Sequence, residues 1–150
     1  MSYLLFFLLF LLLFSCKNIQ GLQSNENKES SLNIYNETLQ SCSHENSEKI
    51  TGFYRDGYCD TGPEDQGTHT VCARVTDEFL EYTDSTGNDL ITPRNNFPGL
   101  IDGDYWCLCA LRWKQAYDEN PNFAPRIKLN STHKKTLEYI NQSILEINQI

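Results

Sequence analysis

Residues 51–113 constrain the fold more than any other part of the chain. They hold four of the six cysteines, both tryptophans and all but one of the eight glycines. Glycine fixes tight turns, tryptophan fills a large volume, and cysteine offers a soft sulfur that bonds or attacks. Together they specify a tight local structure. They do not name a reaction.

The leader is a separate matter. Residues 4–14 are wholly Leu and Phe. At about 1.5 Å per residue this run spans roughly 16 Å, about half of a ~30 Å bilayer core. That length suits the apolar core of a secretory signal rather than a transmembrane helix. Leu13-Phe14-Ser15-Cys16 is similar to a bacterial lipobox, with residues 1–15 as the signal peptide and Cys16 as the lipidated residue, although no Lys or Arg precedes the run. The expected address is the cell envelope through a lipid anchor on Cys16, or secretion. Residues 17–35 are rich in Asn, Ser, Gln, Glu and Lys and read as a flexible linker. Residues 36–150 then suffice for a single domain with one core.

The formal net charge is −8 at pH 7. An acidic body repels phosphate backbones, so nucleic acid is not an expected partner. Residues 112–135 reverse that balance with Arg112, Lys114, Arg126, Lys128, Lys134 and Lys135; such a run is more often a solvated face than a site. Sequons at Asn36, Asn130 and Asn141 are what an Asn-rich chain yields by composition, and they carry no information.

Hydrophobic patterning gives an α+β reading. Residues 51–55 read as a short strand entering a turn-rich loop over 56–67. Alternation from His69 to Thr76 predicts a half-buried strand with Val71 and Val75 inward. Thr76 followed by Asp77 and Glu78 predicts a helix start, with Phe79, Leu80 and Thr83 inward and Gly87 as the stop. Residues 88–103, punctuated by Pro93, Pro98, Gly99 and Gly103, read as a long ordered loop. Trp106, Cys109, Ala110, Trp113, Ala116 and Tyr117 recur at helical spacing and predict an amphipathic helix over 106–118. Residues 126–130 alternate like a strand. Thr132 is expected to cap a final helix bearing His133, Leu137, Ile140 and Ile144 on one face. Strands and helices without a βαβ rhythm imply a small two-layer sandwich with two to three helices and long ordered loops.

After export, Cys42, Cys59, Cys72, Cys107 and Cys109 would meet an oxidising compartment. Five is odd, so at least one thiol stays free or pairs elsewhere. One or two structural disulfides lead the readings; buried inert thiols, a metal site and a nucleophile stay open. His69-x-x-Cys72 and Cys107-x-Cys109 diverge on a regular strand and a regular helix, so no metal set is singled out. Cys107 falls in the first turn of the expected helix and is the best nucleophile candidate, with Cys72 second. His69 and His133 are the candidate general bases. Arg55 and Asp56, Asn88 and Asp89, and Arg112 are candidate binding residues, against the simpler reading of Asp-stabilised turns.

Longer motifs carry a resemblance. TGFYRDG-x-C-x-TG-x-x-D-x-G-x-HTVCA, T-DEFL, GNDL-x-TP, FPGL and GD-x-WCLCA-x-RW resemble a bacterial family known as domain of unknown function 2237, over about residues 41–140. The resemblance implies a small α+β two-layer domain and no established activity, substrate or cofactor. The chain departs from the family's usual form in having a leader, and in Tyr58, where a second cysteine often stands. Two functions follow as expectations. The first is a binding module holding an unidentified small molecule or protein beside the 88–103 loop. The second is a thiol- or metal-dependent enzyme using Cys107 or Cys72 with His69 or His133.

Overall fold

The structure, a computed structural model, describes residues 31–44 and 47–150. The signal segment, Cys16 and the linker as far as residue 30 lie outside the described residues.

Three short strands build one antiparallel sheet in the order β2-β1-β3: β1 is Val71–Arg74, β2 Tyr105–Leu108 and β3 Arg126–Ile127. Register assigns the two faces their work. Val71 opposes Leu108 and Ala73 opposes Trp106, whereas Cys72 opposes Cys107 and Arg74 opposes Tyr105. Because side chains alternate, Val71, Ala73, Trp106 and Leu108 share one face and the two cysteines the other. The first face joins the main apolar core with Phe79, Leu80, Trp113 and Ala116 from two helices. These are α1, Asp77–Ser85, and α2, Ala110–Glu119. The second face carries a separate cluster of Cys42, Cys59, Cys72 and Cys107. Two layers follow, and the small α+β fold is as the sequence implies.

Helix α1 starts where expected: the Thr76 side chain accepts a hydrogen bond from the Phe79 N–H at 3.3 Å, with Asp77 and Glu78 in the first turn. Phe79, Leu80 and Thr83 are its buried residues, and Gly87 has φ +84° just beyond it. Trp113 anchors α2, fully buried, donating its indole N–H to the Pro125 carbonyl at 2.9 Å and stacking on Tyr117. The outer edge of β2 is covered by Thr51, whose hydroxyl accepts the Cys107 N–H at 2.8 Å.

Three expectations are corrected. Trp106 does not begin a helix. Residues 105–108 are strand, buried along most of their length, and α2 opens only at Ala110. A short apolar run buried on both faces has no alternation to separate it from a helix. Residues 51–55 form a turn instead of a strand, because Gly52 and Arg55 both have positive φ. Thr132 caps no helix; its hydroxyl instead bonds the Cys72 N–H and the Lys128 carbonyl. His133 caps a 3-10 turn over Lys134–Glu138, and the last helix, α3, is Gln142–Ile147.

Candidate functional site: a thiol, an imidazole and a buried carboxylate

The five described cysteines sort cleanly. Cys42 is bonded to Cys72 and Cys59 to Cys107, leaving Cys109 as the free thiol among the described residues. Cys72 and Cys107 are therefore corrected as nucleophiles. A sulfur held in a disulfide in the sheet's cysteine cluster has no thiolate to offer.

Cys109 is the residue immediately before α2, half-exposed, with no capping bond from its side chain. That position sets its sulfur at the positive end of the helix dipole. The loop ahead of β1 brings His69 to it. Asp65, with a fully buried side chain, accepts the His69 ring Nδ1–H at 2.6 Å, the His69 backbone N–H at 2.8 Å and the Thr61 hydroxyl at 3.0 Å. With Nδ1 committed to Asp65, Nε2 is the ring nitrogen left to serve the thiol. The Thr68 carbonyl accepts the Ala110 N–H at 3.0 Å, tying the histidine segment to the first turn after Cys109. Thr68 holds φ +50°, a conformation that a β-branched residue avoids unless its surroundings impose it.

Gly67 shows how closely the groups converge. A methyl group there would lie 2.6 Å from His69 Cε1 and 3.1 Å from Cys109 Sγ. Gly67 has no positive φ, so its backbone tolerates alanine. Gly67→Ala is expected to push the imidazole off the thiol and slow Cys109 chemistry at least about tenfold. Because side-chain tips and not backbone must move, stability should change by less than about 1 kcal/mol. Paired rate and urea-unfolding measurements check both halves.

Electrostatics agree with the geometry. The pKa of His69 is raised to about 9, first by its hydrogen bond with Cys109; burial opposes this, while the Cys109 charge and the hydrogen bond and charge of Asp65 add to the rise. Burial alone would raise the Asp65 carboxyl, but its bonds to His69 and Thr61 bring it below the ordinary range. A raised histidine stabilises the fold fully below pH 6.5 and loses that contribution as pH climbs through about 9. The melting temperature should fall across that window, modestly because the His69 ring is 36% exposed and solvent screens it. His69→Asn should flatten the fall, which thermal melts in a pH series would show.

The thiol and imidazole open into a cleft of about 320 Å³ floored by Leu90, Phe97, Trp106 and Leu108. Arg55, Asn88 and Arg112 also line it. Arg55 lies over the Trp106 ring, 5.1 Å from its centroid, and Arg112 follows Cys109 by about one helical turn. No carboxylate lines this cleft among the described residues, so it is a basic pocket in an acidic body.

The remaining expected residues lie elsewhere. His133 is spent as a cap, its Nδ1 accepting the Lys135 N–H at 3.0 Å, with its pKa lowered chiefly by burial; it does not line the cleft. Asp56 accepts the Tyr58 N–H within its own turn. Asp89 accepts the Ile91 and Thr92 N–H groups and pairs with Arg94, which holds its pKa down to about 2, led by the bonds from Thr92. Both acids are turn builders in this fold. Sequence reasoning missed Asp65 and passed over Cys109. The available signal was Ala110, a strong helix former directly after Cys109, which offers a later helix start.

No curated protein matches the chain. A family model described as an uncharacterized protein conserved in bacteria, DUF2237, matches residues 32–149, a wider span than the motifs alone suggested. That match covers the whole sheet, both disulfides and the cleft, and the chain belongs to this family.

Proposed function

We propose that the protein is a thiol-dependent acyl-transfer enzyme, with Cys109 as nucleophile, His69 as acid and base, and Asp65 as the group that orients His69. The convergence of Cys109 and His69 at the wall of the basic cleft, with a fully buried Asp65 bonded to His69 behind it, carries this reading. The order of roles follows from geometry. Cys109 sulfur adds to an acyl carbon, and the leaving alcohol or amine departs with a proton from His69 Nε2. A thioester remains. Neutral His69 then takes a proton from water as the hydroxide adds to the thioester, and the carboxylic acid leaves as Cys109 regains its proton. Arg55 and Arg112 suit a substrate that carries a carboxylate or another anionic group beside its acyl carbon.

The test uses a nitrophenyl ester of a dicarboxylic acid and neutral nitrophenyl acetate. Release of one equivalent of nitrophenolate, an acyl group on Cys109 by mass spectrometry and preference for the anionic ester are the expected results. Equal rates with Cys109→Ser would sink the enzyme reading. The binding-module reading draws on the same cleft, since Asn88, Leu90 and Phe97 come from the 88–103 loop. It would be favoured by a carboxylate ligand that shields Cys109 from alkylation without ever acylating it.

Export with lipid on Cys16 belongs to the same proposal. Two disulfides support it, because such bonds persist in oxidising compartments. Loss of membrane partitioning in Cys16→Ser would be the expected result; unchanged partitioning would contradict the anchor.

A further inference from the structure

The face of the sheet turned away from the helices gathers four sulfurs, and nothing in the Cys109 site uses them. One ligand atom from each of Cys42, Cys59 and Cys72 lies within 4.8 Å of the others, and Cys107 is bonded to Cys59. All four residues are at most 1% exposed. Cys72 and Cys107 are held opposite each other by the β1–β2 register, while Cys42 and Cys59 come from two loops laid over that face. A tetrahedral zinc with bonds of about 2.3 Å to sulfur needs sulfurs about 3.8 Å apart. In the oxidised protein the S–S bonds hold Cys42 to Cys72 at 2.04 Å and Cys59 to Cys107 at 2.06 Å, and reduction lets each pair part toward that spacing over the sheet.

We propose that Cys42, Cys59, Cys72 and Cys107 form a four-thiolate site for a divalent zinc ion when the two disulfides are reduced. The steps balance with a dithiol as reductant. Each protein disulfide takes two electrons and two protons from one dithiol, which leaves as a cyclic disulfide. The four thiols then release four protons as four sulfur–zinc bonds form. The product carries two net negative charges, and Lys128 is the cation beside it. Its backbone N–H bonds the Cys72 carbonyl at 2.8 Å, and its ammonium bonds the carbonyl of Ser41, next to Cys42, at 3.0 Å. The two states exclude each other, so ambient thiol chemistry selects between a cross-linked fold and a metal-held one.

The test takes the full chain, reduces it under anaerobic conditions with a phosphine, and titrates it with cobalt(II) and then zinc. One equivalent of cobalt with the visible bands of tetrahedral thiolate coordination is expected, displaced by one equivalent of zinc. Zinc should then protect these four thiols from alkylation while Cys109 still labels. Cys72→Ser should abolish the cobalt bands, whereas Cys109→Ser should leave them intact; the oxidised wild-type chain, folded by circular dichroism, should bind none. Failure of the reduced wild type to retain metal, or protection that includes Cys109 in place of Cys42 or Cys59, would overturn the proposal. Because Cys109 is not a ligand, this outcome is independent of the acyl-transfer reading.

Discussion

Cys109→Ser is expected to abolish burst release from an activated ester, and His69→Asn to slow it by about 10²- to 10⁴-fold. The two losses differ in kind. Serine at position 109 keeps the shape but replaces a thiol with a far weaker nucleophile. Asparagine at 69 leaves the thiol in place but removes the ring nitrogen that moves the proton. Asp65→Ala should slow release less than His69→Asn, because the ring that moves the proton remains. It deletes the 2.6 Å bond to Nδ1 and the 2.8 Å bond to the His69 N–H, freeing the ring to rotate away from the sulfur. Stopped-flow nitrophenolate release, with circular dichroism to show that each variant is folded, measures all three. Wild-type rates in His69→Asn would show that the imidazole takes no part.

Removing the Cys59–Cys107 bond by a double serine substitution is expected to cost about 4 kcal/mol of stability, from the entropy of a closed segment with sequence separation 48. The Cys42–Cys72 bond, with separation 30, should cost about 3.5 kcal/mol when removed in the same way. Either loss is a large share of the ~5–15 kcal/mol that holds a domain of this size. The first should also slow ester cleavage, because Cys59 anchors the loop that carries Asp65 and Gly67. The second should leave the rate per folded molecule near wild type. Urea unfolding and burst amplitudes in parallel separate stability from chemistry; a shift under 1 kcal/mol in both variants would contradict the structural role of the bonds.

Much of the fold was legible because local signals were strong. Thr76 with two following acids, Phe79 and Leu80 inward, and Gly87 at the end wrote out α1 in full. The sheet core at Val71 was likewise readable from alternation. The site was less legible, for one reason. Trp106, Cys107 and Leu108 are apolar and buried, so the run fits a helix start as well as a strand. Starting the helix at Trp106 turned Cys109 inward and put Cys107 in the first turn; starting it at Ala110 reverses their roles. Disulfide pairing was beyond sequence reading, since Cys72 meets Cys42 and Cys107 meets Cys59 only through the sheet and two long loops. Asp65 looked like one more acid in a turn-rich loop. Its burial depends on Thr61 and His69 folding around it.

The most direct measurement of the central claim is the titration of the His69 ring by nitrogen-detected NMR, in the wild type and in Cys109→Ser. The account predicts a wild-type midpoint near pH 9, with a marked fall once the sulfur is gone. A wild-type midpoint close to 6.5 that Cys109→Ser leaves in place would contradict it.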